Sequence, residues 1–535
     1  MKAEIAVEQR TSNPVTNVAL DTVKIGKQAL VFVGTRQSAE NAAEEIAYKL
    51  KLNDSKLNEL AEEALHALSR PTRQCERLAK CIKGGAAFHH SGLTAKQRQL
   101  IEDNFRSGVI KIICCTPTLA AGVDLPAFRA IIRDLKRFSG RSEYGYGGSN
   151  WIPVLEYLQM CGRAGRPSFD TEGQSILLAG SESEENEVTQ RYINGEPEEI
   201  FSKLAVEPVL RTYLLSLIAT RLVGNRKEVM QFFAKTFWAH QYKDFRQLEM
   251  TIDKMLLLLD EWEFIVNTGS STAGFTSAAD MKEGAIRPTL IGSRVAELYL
   301  DPLTAHEIIL GLRKMARYAP DTEFQPFSLL QMITSTLEMR PLLRVKVKEL
   351  EDVQAALTER GGSLLVDEPS MFEEGYDDFL ASVKTALFFE EWIAENDEEY
   401  LLEKYGIRPG EVHSKLDNAD WLLYSASEIV KLLQFQPLIK HITKIRFRVR
   451  YGVREELLPL LQLRGIGRVR SRKLFDNRIK NLADVKKADI SALTQILGSG
   501  KLALDIKEQL GEKTEVVKEG KRKGQINLND YGDEG

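Results

Sequence analysis

Between residues 28 and 180 the chain repeats one pattern: a short unbroken apolar run, then a longer polar or amphipathic stretch. The runs are QALVFVG (28–34), KIICCT (111–116), RAIIRDL (129–135) and QSILLAG (174–180). Apolar residues without alternation signal strands buried on both faces. The intervening TRQSAENAAEEIAYKL has the spacing of an amphipathic helix. Strands alternating with helices leave one economical solution, a parallel α/β sheet covered by helices.

From about residue 190 the character changes. Helical periodicity dominates EEIFSKLAVEPVLRTYLLSLIATRLV and EVMQFFAKTFWAHQ, and nearly all of 303–440. Residues 286–302, IRPTLIGSRVAELYLDP, read as a short strand, a turn and a helix. Short helices punctuated by glycine fill 457–509, and a polar tail expected to be disordered follows from Gly511. Residues 1–27 read as a linker or an incomplete domain edge. A length of 535 residues suits three to five domains.

Net charge is −4, but the charges are segregated. Asp367 to Glu399 holds twelve acids and one base, whereas Lys444 to Lys487 holds fourteen bases and four acids. Such a basic run is the footprint of a polyanion partner. No apolar run approaches the ~18 residues of a membrane span, and MKAEIAVEQR has no signal-peptide core. A cytoplasmic chain is expected. The five cysteines, Cys75, Cys81, Cys114, Cys115 and Cys161, form no C-x-x-C pair and are expected to be buried thiols.

Four motifs carry chemistry. QMCGRAGRP (159–167) places Arg163 and Arg166 three apart, on one face of a helix or its leading turn, with Gly162 and Gly165 beside them. An arginine fork stabilises charge on transferring phosphoryl oxygens. TPTLAAGVDLPA (116–127) follows a buried strand. Thr116, Thr118 and amides near Gly122 suit a sugar-phosphate backbone, and Asp124 suits a sugar hydroxyl or a neighbouring arginine. FVGTR (32–36, with Arg36) and HHSGL (89–93, with His90) complete the set. The paired histidines have no third ligand at suitable spacing, so no metal site is expected.

Together these motifs resemble superfamily-two helicases. HHSGL, TPTLAAGVDLPA and QMCGRAGRP look specifically like archaeal DNA repair helicases related to the helicase domain of polymerase theta. The resemblance covers nearly the whole chain. It implies a second RecA-like α/β domain (28–190), then mainly α domains: a winged helix (191–300), a helical ratchet bundle (301–440) and a helix-hairpin-helix domain (441–510), with a flexible tail at 511–535. It implies Arg163 and Arg166 at an ATP site, supported by Gln159, Gly122 and Asp124. It also implies a strand-separating hairpin at about 136–152, where Phe138, Tyr144, Tyr146 and Trp151 are candidates to stack on the last base pair.

In KLDNADWLLYSASEIV (415–430), Trp421 stands where relatives stack a tryptophan on single-stranded DNA. Relatives carry an arginine about two turns earlier; here His413, Ser414 and Lys415 stand there, and Lys415 is the candidate contact. Gly465 and Gly467 form the G-h-G turn of a helix-hairpin-helix, whose amides approach a DNA phosphate. Arg464, Arg468, Arg470, Arg472 and Lys473 surround it. In the tail, Gln525, Leu528 and Tyr531 match three positions of a sliding-clamp binding motif.

The 535 residues contain neither G-x-x-x-x-G-K-[ST] nor a DExH-type segment. NPVTNVALDTVKIGKQALVFVGTR resembles the junction between the two motor domains. The expectation is therefore an ATP-dependent DNA helicase portion, 3′ to 5′ and fork-associated, whose ATP and Mg²⁺ are held mainly by a first RecA-like domain on a separate chain. Two alternatives stay open: a DNA-binding module or truncated product without ATPase activity, and a fragment of an RNA helicase.

Overall fold

The computed structural model describes residues 6–52, 54–68, 70–139, 148–166, 170–242, 245–267, 284–317 and 325–512. Five strands of four residues form one parallel sheet. They are β1 (Ala29–Phe32), β2 (Ala86–His89), β3 (Ile112–Cys115), β4 (Arg129–Ile132) and, after an inserted antiparallel pair β5 (Lys136–Ser139) and β6 (Gly148–Trp151), β7 (Gln174–Leu177). The order is β2-β3-β1-β4-β7. All residues of β1 to β4 are buried, as their unbroken apolar character requires.

Seven helices accompany this sheet: α1 (Pro14–Lys24), α2 (Arg36–Leu50), α3 (Ser55–Leu65), α4 (Arg73–Lys83), α5 (Ala95–Arg106), α6 (Thr118–Gly122) and α7 (Val154–Cys161). Their starts are set by side chains that take up orphan amides. Thr35 and Thr72 cap α2 and α4, and Thr94 with Gln97 forms a capping box on α5.

Helix α1 corrects the expectation of a linker over 1–27. Asn13 caps it and Pro14 opens it, and Val15, Val18, Ala19 and Leu20 are buried in the core of the sheet domain. Arg129 on β4 reaches across to Asp21 at 2.6 Å. The thiols of Cys75, Cys81, Cys114 and Cys115 are buried and that of Cys161 is half-buried, all unbridged.

The next helices are α8 (Glu182–Val188), α9 (Glu207–Ala219), α10 (Arg226–Phe233), α11 (Phe237–Gln241) and α12 (Phe245–Glu261). An antiparallel pair, β8 (Ile265–Asn267) with β9 (Ile286–Pro288), leads into α13 (Leu290–Glu297). A bundle continues through α14 (Pro302–Ala316), α15 (Pro326–Thr334), α16 (Leu350–Arg360), α17 (Tyr376–Ile393), α18 (Glu398–Tyr405), α19 (Pro409–Leu432) and α20 (Gln436–Tyr451).

One continuous apolar core runs through these elements from Leu210 to Val449. A domain boundary at 440 is thus corrected: it would cut α20, which packs along α19 and ends at Gly452 in the left-handed conformation. A separate small core, Leu460 to Ile506, belongs to α21 (Arg468–Asp476), α22 (Leu482–Lys487), α23 (Ile490–Leu497) and α24 (Gly500–Gln509). Among the described residues no helix is long and apolar enough to cross a membrane.

The acidic and basic runs meet each other. Glu395 of the acidic run pairs with Arg472 of the basic run at 2.6 Å; Asp420, outside the acidic run, takes Arg446 and Arg450, and Asp397 pairs with Arg70 of the sheet domain. Part of the basic run read as a nucleic-acid footprint is therefore neutralised within the chain.

Candidate nucleotide and nucleic-acid interface

The carboxyl ends of the parallel strands, where ligands of open α/β sheets bind, gather the first of the motif residues. Gly34, Thr35 and Arg36 follow β1, His90 follows β2, and Thr116 and Thr118 follow β3. Thr116 and Thr118 hydroxyls lie 2.9 Å apart, with Thr118 exposed at the start of α6. Gly122 and Asp124 are also exposed, and Gly122 has open space around it. The Gly34 amide donates to Asp134, at 2.8 Å.

The two arginines of the last motif do not share a helix face. Helix α7 ends at Cys161, and Arg163 and Arg166 lie in the turn beyond it. That turn is pinned to the segment before β4: the Gly165 amide donates to the Ala127 carbonyl. Gly165 has φ +95°, where a side chain is strained. Arg163 donates through Nε to the Ala120 carbonyl at 2.9 Å, so it reaches the neighbouring motif through backbone and not through Asp124. Arg166 donates to Asp170 at 2.7 Å and to Gln28 at 2.8 Å. Asp170 is buried, and Arg166 with Lys27 holds its carboxyl down at about 2. Gln159 is exposed on α7.

His90 and Arg36, expected on DNA, instead build a junction with α19. His90 is buried, and its Nδ1 accepts from the Gly92 amide. Its Nε2 lies 3.2 Å from Glu40 on α2. Glu40, 3% exposed, also pairs with Arg77 and, at 3.2 Å, with Arg408 just ahead of α19. Burial drives its carboxyl pKa upward, but the His90 hydrogen bond and the charges of Arg408 and Arg77 bring it to about 2.

Arg36 pairs with Glu411 in the first turn of α19. The Gly410 amide donates to the Gly92 carbonyl at 2.9 Å, and a Cβ at Gly410 would lie 2.2 Å from the Leu93 carbonyl oxygen. HHSGL is thus a docking loop for a helix more than 300 residues away in sequence. The Arg-Pro-Gly-Glu start of α19 is a visible helix signal, but its partners were not visible.

Along α19, Lys415 is corrected from a DNA contact to a buried brace. Its ammonium donates to the carbonyls of Met339 and Pro341, the latter at 2.7 Å, and burial pulls its pKa down. Trp421 is half-buried against the bundle core, its indole N–H donating to the Leu298 carbonyl at 3.0 Å. His413, Ser414, Asp417 and Lys431 are the exposed positions of this face.

In the inserted pair, Trp151 lies at the base of β6. Lys136 sits over its ring at 4.0 Å and Arg191 at 5.3 Å, with Tyr192 at its edge. Tyr144, Tyr146 and the side chain of Phe138 lie outside the described residues, as do Gln525, Leu528 and Tyr531.

At the last domain, Gly465 adopts φ +81° and Gly467 is the N-cap of α21. Arg470 is exposed and donates to the Gly465 carbonyl. Arg468 is corrected: it lies over the Trp392 ring at 4.6 Å and donates to the Asn396 carbonyl. Among the described residues no group of three or more His, Cys, Asp or Glu could hold a metal ion.

Known families agree with this layout. Residues 62–168 match the "Helicase conserved C-terminal domain", 173–266 a "Helix-turn-helix domain", and 327–452 "Archaeal helicase, domain 4". The chain is similar to the ATP-dependent DNA helicase Hel308 of Methanocella arvoryzae, 38% identical over 519 residues, covering 95% of this chain and 67% of the relative. The Pyrococcus horikoshii protein of the same name is 37% identical over 515 residues, with the same coverages. The Caldivirga maquilingensis one is 33% identical over 524 residues, 94% of this chain and 66% of the relative. The chain therefore belongs to the Hel308 family of helicases.

Proposed function

We propose that these residues form the second motor domain and the DNA-handling domains of an ATP-dependent DNA helicase, and that the first motor face comes from a segment or chain outside them. The observation that carries this is the abutment of two motifs: Arg163, in the turn after α7, donates to the Ala120 carbonyl of the segment that begins with Thr116 and Thr118. Guanidinia there fit the charge-stabilising half of a composite ATP site. The residues do not fit its other half: they have no phosphate-binding loop, and no described cluster would ligate Mg²⁺. No step is assigned to this chain beyond positioning and charge.

Arg163 is the more readily freed contributor, since its described contact is to one backbone carbonyl. Arg166 is tied to a buried carboxylate and acts also as a brace. Gln159, Gly122 and Asp124 are exposed members of the same two motifs. Thr116 and Thr118 hold the sugar-phosphate backbone without reading bases. The β5–β6 insertion serves as the strand-separating hairpin, with Trp151 anchoring its base. Residues 191–300 serve as a winged helix, α14–α20 as the ratchet bundle with Trp421 on its central helix, and α21–α24 as the helix-hairpin-helix. Gly465, Gly467 and Arg470 there grip phosphate, and translocation runs 3′ to 5′ on forked DNA. The clamp-like tail residues are a further partner site. DNA is favoured over RNA because the similar Hel308 proteins are named DNA helicases; the G-h-G turn ahead of α21 adds an anion-binding end for its phosphates.

The test is fork unwinding by this chain mixed with a first motor domain from a Hel308 relative. Unwinding that needs both polypeptides and ATP is expected. Fork binding without any unwinding by the mixture would leave the chain as a DNA-binding module only.

A further inference from the structure

Helix α20 carries a surface that the reading above does not use. Its sixteen residues hold five Lys or Arg and no acid. Three of the five are engaged on other faces. Arg446 and Arg450 bind Asp420, and the Arg448 guanidinium donates to the Val453 carbonyl. Lys440 and Lys444 remain, one turn apart, about 6 Å along the axis. Lys440 is exposed, and among the described residues Lys444 pairs with Glu455, a solvent-exposed carboxylate of little hold.

Next along the same stripe come Phe447, 41% exposed, and Tyr451. Their rings lie nearly parallel, 11° apart in plane and 6.4 Å between centroids. Between the lysines and Phe447 lies an open groove of about 580 Å³, with Gln436, Ile439 and Leu458 on its walls.

We infer that this stripe is a second binding surface for single-stranded DNA, separate from the sheet edge and the G-h-G turn. Two ammonium groups beside an exposed aromatic are the combination that tracks a backbone while a base stacks, without sequence preference. Charge complementarity favours a polyanion over an apolar peptide: the helix carries five Lys or Arg and no acid, and Lys440 and Lys444 line the groove beside the exposed ring, together with Ile439 and Leu458. The inference rests on the reading that this chain handles DNA.

The test measures binding of a fluorescent oligothymidylate to the full chain and to Phe447→Ala, Lys440→Gln and Arg470→Ala, with melting curves confirming that each variant folds. Phe447→Ala is expected to weaken binding by about 5- to 100-fold. Lys440→Gln should lower the slope of log affinity against log salt by about 0.7. Ultraviolet cross-linking of a bromouridine-bearing strand should label peptide 436–451. Wild-type affinity and slope in both α20 variants, with Arg470→Ala weakened, would overturn this site alone. Failure of the unaltered chain to bind the oligonucleotide would overturn this inference and the DNA reading together. A patch that instead holds two copies together, seen as a change of sedimentation on Phe447→Ala with DNA binding intact, would also overturn it.

Discussion

Replacing Glu40 with Gln removes the charge at the centre of the junction between the sheet domain and α19 while keeping the side chain's shape. Glu40 is 3% exposed and faces Arg77, Arg408 and His90. Its carboxyl pKa falls from 4.5 to about 2 in the folded chain. A drop of that size corresponds to about 3 kcal/mol of stability at neutral pH. A lowered carboxyl pKa contributes in full above the unfolded value, and the contribution is lost as pH falls through the folded one. Glu40→Gln should therefore lower the melting temperature at pH 7 by about 6–12 °C for a domain of this size. The gap from wild type should shrink to less than half by pH 3. Because Arg408 precedes α19, a double-mutant cycle with Arg408→Gln should show a coupling of about 0.5 kcal/mol or more. Circular dichroism melts of the four proteins at the two pH values are sufficient. A Glu40→Gln protein melting within about 1 °C of wild type at pH 7, or additive single effects, would refute the reasoning.

Two further outcomes are expected. Glu307 on α14 has its carboxyl pKa pushed up to about 7 by burial and by Asp301 and Glu338 nearby. Its charge therefore costs stability progressively from pH 4.5 to 7. Glu307→Gln should raise the melting temperature at pH 8 by several degrees and leave it unchanged at pH 4; equal shifts at both would refute the assignment. Arg470→Ala should reduce the salt slope of duplex binding by about 0.9, whereas Arg468→Ala, which loses its packing on Trp392, should lower the melting temperature more than the slope.

The sheet domain was legible because its strands are continuous apolar runs: β1, β3, β4 and β7 lie inside the four segments read from the sequence. Helix α1 was missed although Asn13-Pro14 is a start signal. Its buried face, Val15, Val18, Ala19 and Leu20, is short, and only the sheet reveals why it is apolar. The motif residues were legible as types and not as contacts. Local sequence names Arg163 and Arg166, but their acceptors Ala120, Gln28 and Asp170 are set by the packing of a turn. His90, Arg36 and Lys415 resembled DNA contacts because they are polar within a motif or a helix. Their partners Glu40, Glu411 and the Met339 and Pro341 carbonyls lie between 50 and 375 residues away. Charge runs likewise announce a surface without saying whether an acidic run of the same chain already covers it, as Glu395 does for Arg472.

ATP hydrolysis in the presence of single-stranded DNA tests the central claim most directly. The chain is measured alone, with a first motor domain from a Hel308 relative, and with Arg163→Ala and Arg166→Ala in the mixture. Negligible turnover by the chain, restoration by the mixture and a loss of about 10³-fold or more on Arg163→Ala are predicted. Robust turnover by the pure chain that survives Arg163→Ala would contradict the account.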